Sequence, residues 1–207
     1  LNIDNYPKVT TIMRGYTYEE AMAVIKVLSS FNHQVGVEVT TNNPDYLKII
    51  HDGNEKYGDE VDIGVGTVLN AGQASSAIAS GAKFMLGPAV FTPDIFKIAR
   101  DAKVVKVPAA MTPSEVVKML DLGANIVKLF PASTLGPSFF KAIQGPLGKQ
   151  RLMAVGGINV KNAREFFENG ASYLGVGSSM FNHKDVENNN VEGLKKSVKA
   201  FLETVPE

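Results

Sequence analysis

Cysteine and tryptophan are absent from the 207 residues. Without cysteine there is no disulfide framework, no thiolate nucleophile and no thiolate metal site. Histidine is scarce: His33, His51 and His183 are the three. All fall in helix or loop segments with no carboxylate at ligand spacing, so they read as surface residues and no metal site is expected. Excess charge of either sign is missing too, since 21 Lys and Arg balance 21 Asp and Glu. A neutral chain without a basic run offers no electrostatic foothold to nucleic acid or to an anionic membrane. No stretch approaches the roughly 18 consecutive apolar residues that span a bilayer. The opening LNIDNYPK has no apolar core of a secretory signal. A cytoplasmic chain is therefore expected, with neither nucleic acid nor membrane as partner.

What is present is rhythm. Hydrophobic residues make up 44% and charged residues 20% of the chain, enough for one sizeable core. Short apolar runs of β type recur at 9–15, 35–41, 61–67, 84–88, 104–109, 126–132, 152–157 and 173–177. Segments of helical spacing separate them, such as TYEEAMAVIKVLSS, PSEVVKMLDLGA and EGLKKSVKAFLETV. Thr17, Thr92 and Thr112 stand where N-caps are wanted, and Gly81, Gly123 and Gly170 where helices end. The strands start about 21 to 26 residues apart, the spacing of a strand plus a crossover helix. Eight such units predict a closed (β/α)8 TIM barrel, an α/β fold filling residues 1–207 as one domain. The alternative, an open doubly wound sheet, is disfavoured because no Gly-rich dinucleotide turn follows the first strand. The polar run at 181–190 reads as a loop before the last helix.

In such a barrel, function sits where strands end and βα loops begin. The polar residues there are few. Arg14 ends the first strand, Glu38 interrupts the second, Thr67 ends the third, Lys106 interrupts the fifth and Lys128 the sixth. Strands seven and eight end in Gly156-Gly157 and in Gly175-Val176-Gly177-Ser178-Ser179. Glycine lets backbone N–H groups approach an anion, and loops seven and eight commonly hold phosphate in this fold. A carboxylate between valines is desolvated, which suits Glu38 to acid–base work, although an ion pair with Arg14 would explain it equally. An amine turned into the barrel would lose its proton and attack a carbonyl; one turned outward would snorkel to water. Lys128 in IVKLFPAS and Lys106 in VVKVPA have near-identical settings, so periodicity leaves the choice open.

The motifs VEVT, GVGTVLN, VKLFPAS, AVGGI and GVGSSM, in this order over nearly the whole chain, resemble the 2-keto-3-deoxy-6-phosphogluconate and -galactonate aldolase family. The resemblance implies a class I lyase that forms pyruvate and glyceraldehyde 3-phosphate from a phosphorylated sugar acid without cofactor or metal. It selects Lys128 as the Schiff-base lysine and makes Glu38 the proton shuttle, acting through a bound water. It places Arg14 and Thr67 on the substrate carboxylate, and Gly156, Gly157, Gly177 and Ser178 on the phosphate. It also implies a homotrimer.

Specificity is expected at Asn42, Val155, Phe130 and Pro131. Gluconate-type members carry Arg at the position of Asn42 and Thr at that of Val155, so this chain looks closer to the galactonate branch. Val65 and PAAMT at 108–112 also depart from the family pattern, with Val65 expected to face outward. Two readings compete with the aldolase: another phosphosugar-barrel enzyme, such as an isomerase or synthase, and a non-catalytic phosphosugar-binding protein.

Overall fold

A computed structural model describes residues 1–206. Its strands are β1 (Val9–Met13), β2 (Val35–Thr40), β3 (Ile63–Gly66), β4 (Phe84–Leu86), β5 (Val105–Val107), β6 (Ala109–Ala110), β7 (Val127–Leu129), β8 (Leu152–Val155) and β9 (Tyr173–Val176). Every pairing is parallel, and the lateral order is β5-β4-β3-β2-β1-β9-β8-β7-β6. The two ends of that order, β5 and β6, are consecutive pieces of the expected fifth strand. Pro108 splits them because it has no N–H to donate, yet its carbonyl accepts the Lys128 N–H at 2.9 Å. β5 pairs with β4 and β6 with β7, so the sheet closes on itself as an eightfold barrel.

The helices are α1 (Tyr18–Ser29), α2 (Tyr46–Tyr57), α3 (Ala71–Ala79), α4 (Pro93–Asp101), α5 (Pro113–Asp121), α6 (Ala132–Leu135), α7 (Pro137–Leu147), α8 (Val160–Glu168), α9 (His183–Glu187) and α10 (Val191–Leu202). None among the described residues is long and apolar enough to cross a membrane. Thr17 and Thr112 form capping boxes with Glu20 and Glu115. Thr92 holds the N-cap position of α4 without a side-chain hydrogen bond. The run expected as a loop at 181–190 contains α9: Asn182 accepts the Lys184 N–H at 2.9 Å, and Val186 is buried.

Strand alternation divides the core in two. Outward residues such as Val9, Val37, Val65, Met85, Val127, Leu129 and Leu174 pack under the helices, which bears out the outward Val65. Inward residues, among them Ile12, Phe84, Leu86, Val105, Val107, Ile126, Met153 and Val155, form a separate cluster inside the barrel. Tyr6 closes the end where the strands begin. Its ring meets Phe84 and Tyr173 edge-on at 5.2 and 5.4 Å, and its hydroxyl lies 3.1 Å from that of Thr10.

Candidate active site

The opposite end, where the strands stop, is open. A cavity of about 590 Å³ lies there, with Ile12, Arg14, Phe130, Val155, Gly156, Gly157, Gly177 and Ser178 in its wall. Seven sequence-selected residues thus share one hollow: Arg14, Phe130, Val155, the three glycines and Ser178. Arg14 is exposed and makes no ion pair among the described residues. The suggested Arg14–Glu38 pair does not form.

Lys128 and Glu38 lie deeper, outside the wall. Lys128 sits mid-β7, beside Ala109 and Met153 of the neighbouring strands, and is 3% exposed. Its Nζ stands 4.9 Å from the centroid of Phe130, which does line the cavity. Glu38 sits on β2 between Ile12 and Gly64 and is 1% exposed. Room for its carboxylate comes from Gly66 on β3, where an added Cβ would land inside the Glu38 side chain. GVG at 64–66, which looks like part of a dinucleotide fingerprint, is thus a packing device: Gly64 admits Phe84 and Gly66 admits Glu38.

Burial sets the protonation of both groups. It raises the Glu38 carboxyl above its ordinary value, with Lys128 and Arg14 opposing. It lowers the Lys128 amine, Glu38 opposing and Arg14 adding to the fall. Each group is therefore biased toward its neutral form. They sense each other's charge but form no ion pair among the described residues, and Glu38 Oε2 is buried without a hydrogen-bond partner.

Lys106 has the other orientation. It is paired in register with Met85, an outward residue, while its neighbours Val105 and Val107 face in. Its amine is lowered by burial and by Arg100 on α4, away from the cavity.

The glycine loops are arranged by their carbonyls. Gly156 and Gly157 have φ of 99° and 76°, values that side-chain-bearing residues rarely adopt. The Gly156 carbonyl accepts the Ser133 N–H at 3.0 Å, and the Gly157 carbonyl accepts Asn162 Nδ2 at 2.9 Å and Asn159 Nδ2 at 3.3 Å. The Ile158 carbonyl accepts the Ser179 hydroxyl. Across a planar trans peptide, N–H points opposite to C=O. Among the described residues, no acceptor takes the N–H of Gly157, Ile158, Gly177 or Ser178.

Besides Lys128 and Glu38, three selected residues stay outside the cavity wall. Thr67 ends β3 with φ of 60°, its carbonyl accepting the Thr41 hydroxyl at 2.8 Å. Asn42 is exposed and accepts the Thr40 hydroxyl at 2.6 Å. Pro131 follows a cis peptide bond and caps α6. Sequence reasoning passed over Tyr16, Asn159, Phe181 and His183, which do line the cavity. Burial pushes the Tyr16 phenol up to about 12, so it is a neutral donor. Asn159 carried a signal as the cap two residues after Gly157; Tyr16 carried none. His33 lies at the surface as read and is also tied to Asp62 at 3.0 Å at the other end of the barrel. No group of three or more His, Asp or Glu side chains among the described residues is placed to hold a metal.

Known proteins bear directly on this geometry. The chain is 28% identical to the 2-dehydro-3-deoxy-6-phosphogalactonate aldolase of Escherichia coli (strain K12), covering 94% of each. It is 33% identical to a probable aldolase of the same name from Rhizobium meliloti (strain 1021), over 82% of this chain and 80% of that one. A KDPG aldolase structure from Legionella pneumophila, with pyruvate captured as a covalent carbinolamine intermediate, superposes with a TM-score of 0.83. Identity to it is 25%, and the match covers 99% of this chain and 97% of that one. The sequence model described as "Aldolase: KDPG and KHG aldolase" matches residues 3–197. A match of that span, on a barrel whose buried lysine and carboxylate adjoin one open cavity, shows that the chain belongs to the KDPG and KHG aldolase family, enzymes of the lyase class.

Proposed function

We propose that Lys128 is the Schiff-base nucleophile of this aldolase and Glu38 its proton carrier, with a 2-keto-3-deoxy-6-phospho sugar acid as substrate. One observation carries the reading: a buried amine without an ion pair, lowered by desolvation, lies within the field of a buried carboxyl whose Oε2 has no partner. Lys128 Nζ adds to the C2 ketone, and loss of water gives the iminium. Glu38 takes the C4 hydroxyl proton as the C3–C4 bond breaks, and the bonding pair moves into the iminium to give an enamine. Glyceraldehyde 3-phosphate leaves. Protonation of the enamine at C3 and hydrolysis of the imine release pyruvate and regenerate Lys128.

The unpaired N–H groups of Gly156, Gly157, Gly177 and Ser178, with that of Ile158 between them, supply the phosphate site: all five residues line the cavity, and neighbouring carbonyls are tied back. Arg14 is the cation available to the substrate carboxylate, with Thr67 carried over from the family motif. Val155 in the cavity wall, together with the galactonate-type relatives from E. coli and R. meliloti, supports a galactonate preference. Asn42, Phe130 and Pro131 complete the proposed specificity set. A homotrimer is supported by Leu69, Val90 and Met111, exposed on adjacent loops after β3, β4 and β6; a monomer in sedimentation equilibrium would sink it.

The test is borohydride reduction in the presence of pyruvate, followed by peptide mapping. A pyruvyl adduct on Lys128, absent in Lys128→Ala along with turnover, is the expected result. An adduct on Lys106 would move the site, and no adduct would remove the class I assignment of these residues. Assaying both C4 epimers with the same preparation decides the preference; faster gluconate-type cleavage would reverse it.

A further inference from the structure

We infer that Ser179 is a positioning residue: its hydroxyl locks the β8–α8 turn to the β9–α9 loop and so sets the affinity for the phosphate group. The inference rests on the phosphate reading above. Its starting point is that three successive carbonyls, of Gly156, Gly157 and Ile158, are held by three different parts of the fold. Ser133 of α6 takes the first and Asn162 of α8 the second. Only the third is held from the facing loop, through the Ser179 side chain.

The direction of that bond matters. Ile158 is 2% exposed, so its carbonyl has little access to water, and losing the Ser179 donor leaves the oxygen to find another one. The nearest relief is a rotation of the peptide plane, which would carry the N–H of the turn with it. The Asn159 N–H of that same peptide is already committed to Asn162 Oδ1 at 2.8 Å, and Asn159 caps α8 through the Lys161 N–H at 2.9 Å. A disturbance at the Ile158 carbonyl therefore acts on the start of α8 and on the Gly157–Ile158 amides together. The same hydroxyl ties Ser178 and Gly177, one and two residues upstream, to that turn. Two half-sites are thereby kept at fixed separation, which an anion bridging them needs.

The Ser179 hydroxyl is spent on the Ile158 carbonyl, whereas Lys128 Nζ lies over Phe130. Ser179 lines the same cavity as Phe130, but no hydrogen bond or ion pair among the described residues links Lys128 or Glu38 to the β9–α9 loop, so the chemical step should not feel its loss. The experiment measures three quantities in wild type, Ser179→Ala and Ser179→Thr: inhibition by inorganic phosphate, kcat and KM for the phosphorylated substrate, and pyruvate trapping by borohydride. In Ser179→Ala, the phosphate inhibition constant and KM should each rise about tenfold, the size of one lost hydrogen bond. Its kcat and pyruvate trapping should hold within about twofold, and Ser179→Thr, which restores the hydroxyl, should recover wild-type values. Wild type inhibited by phosphate and an equally inhibited Ser179→Ala would overturn the role of Ser179 alone. Equal losses in trapping and in KM would also overturn it, since that is general damage. Wild type untouched by phosphate would bring down the phosphate reading and this inference with it.

Discussion

Two carboxylates are buried in the chain among the described residues, Asp62 and Glu38, and they are treated in opposite ways. Asp62 lies just before β3, at the closed end of the barrel. Its Oδ2 meets His33 Nδ1 at 3.0 Å and its Oδ1 meets Lys83 Nζ at 3.3 Å. Lys83 also donates to the Gly58 carbonyl at 2.5 Å, and His33 Nε2 lies 2.9 Å from the Asp59 carbonyl. Every polar atom there answers another, stitching together the starts of β2, β3 and β4. Glu38, further along the strands, has a buried oxygen with no partner and a neighbouring lysine that does not close on it. Full pairing of a buried carboxylate builds structure; a desolvated carboxylate that no cation neutralises is biased toward its proton, as acid–base work requires.

The sharpest way to break the comparison is Glu38→Gln. As the proton carrier, Glu38 should account for about 10² to 10⁴-fold of turnover, so kcat should fall by that factor while the fold stays intact. Stability should move the other way with pH. Burial raises the folded-state value of Glu38 above its ordinary one, so between the two the native chain holds a proton that the unfolded chain has lost. In that window stability falls as pH rises, and below it the penalty is gone. Glu38→Gln removes the penalty, so the variant should gain on wild type above the window and not below it. Denaturant unfolding at pH 4 and pH 8 reads the difference; equal differences at both would remove the desolvated carboxylate from the account.

Asp62→Asn is the converse. One oxygen becomes an amide nitrogen that can no longer accept a hydrogen bond, Lys83 loses its counter-charge and His33 its carboxylate partner. A fully buried pair broken this way costs about 3 to 5 kcal/mol. Lys83 and His33 side chains are 26% and 39% exposed, and water screens part of the loss, leaving about 1 to 3 kcal/mol. Turnover should stay within about twofold. A variant that kept its stability and lost its activity would invert the roles assigned to the two ends.

Much of this plan was legible because it is periodic. The eight strand runs, the shared face of Ile126, Lys128 and Phe130, and the glycine ends of the last two strands follow from local spacing. Lys106 and Lys128 could not be separated that way, since both are lysines flanked by apolar residues. What separates them is register against β4 and β8, which is a property of the closed sheet and not of either strand. Pro108 marks the break in the fifth strand locally, but that β5 and β6 serve different neighbours needs the whole circle. His33 lies at the surface as read, but its pairing was hidden for the same reason. Its partner lies 29 positions away, and a residue with a carboxylate beyond helical reach looks solitary in sequence. The contacts of Ser179 and Asn162 with carbonyls of a neighbouring turn have no sequence signature at all, because backbone atoms carry no letter.

The smallest expected effect sharpens the comparison most finely. Tyr6→Phe keeps the ring that seals the closed end against Phe84 and Tyr173 and deletes only the hydroxyl facing Thr10. Thr10 is fully buried, so its own hydroxyl is then stranded, and the loss should be about 1 to 2 kcal/mol. At this chain length each kcal/mol lowers Tm by about 2 to 4 °C. Adding Thr10→Val removes the stranded partner and should return most of that loss, since deleting both members of a buried pair is nearly neutral. Neither variant should change kcat or pyruvate trapping at Lys128, because the inward cluster of Phe84, Val105 and Ile126 lies between the closed end and the amine. Recovery of stability in the double variant with unchanged turnover would show the pairing at the closed end to be purely structural. A fall in trapping from the single hydroxyl would mean that the two ends are coupled through that cluster, and the division between the paired closed end and the open end would no longer hold.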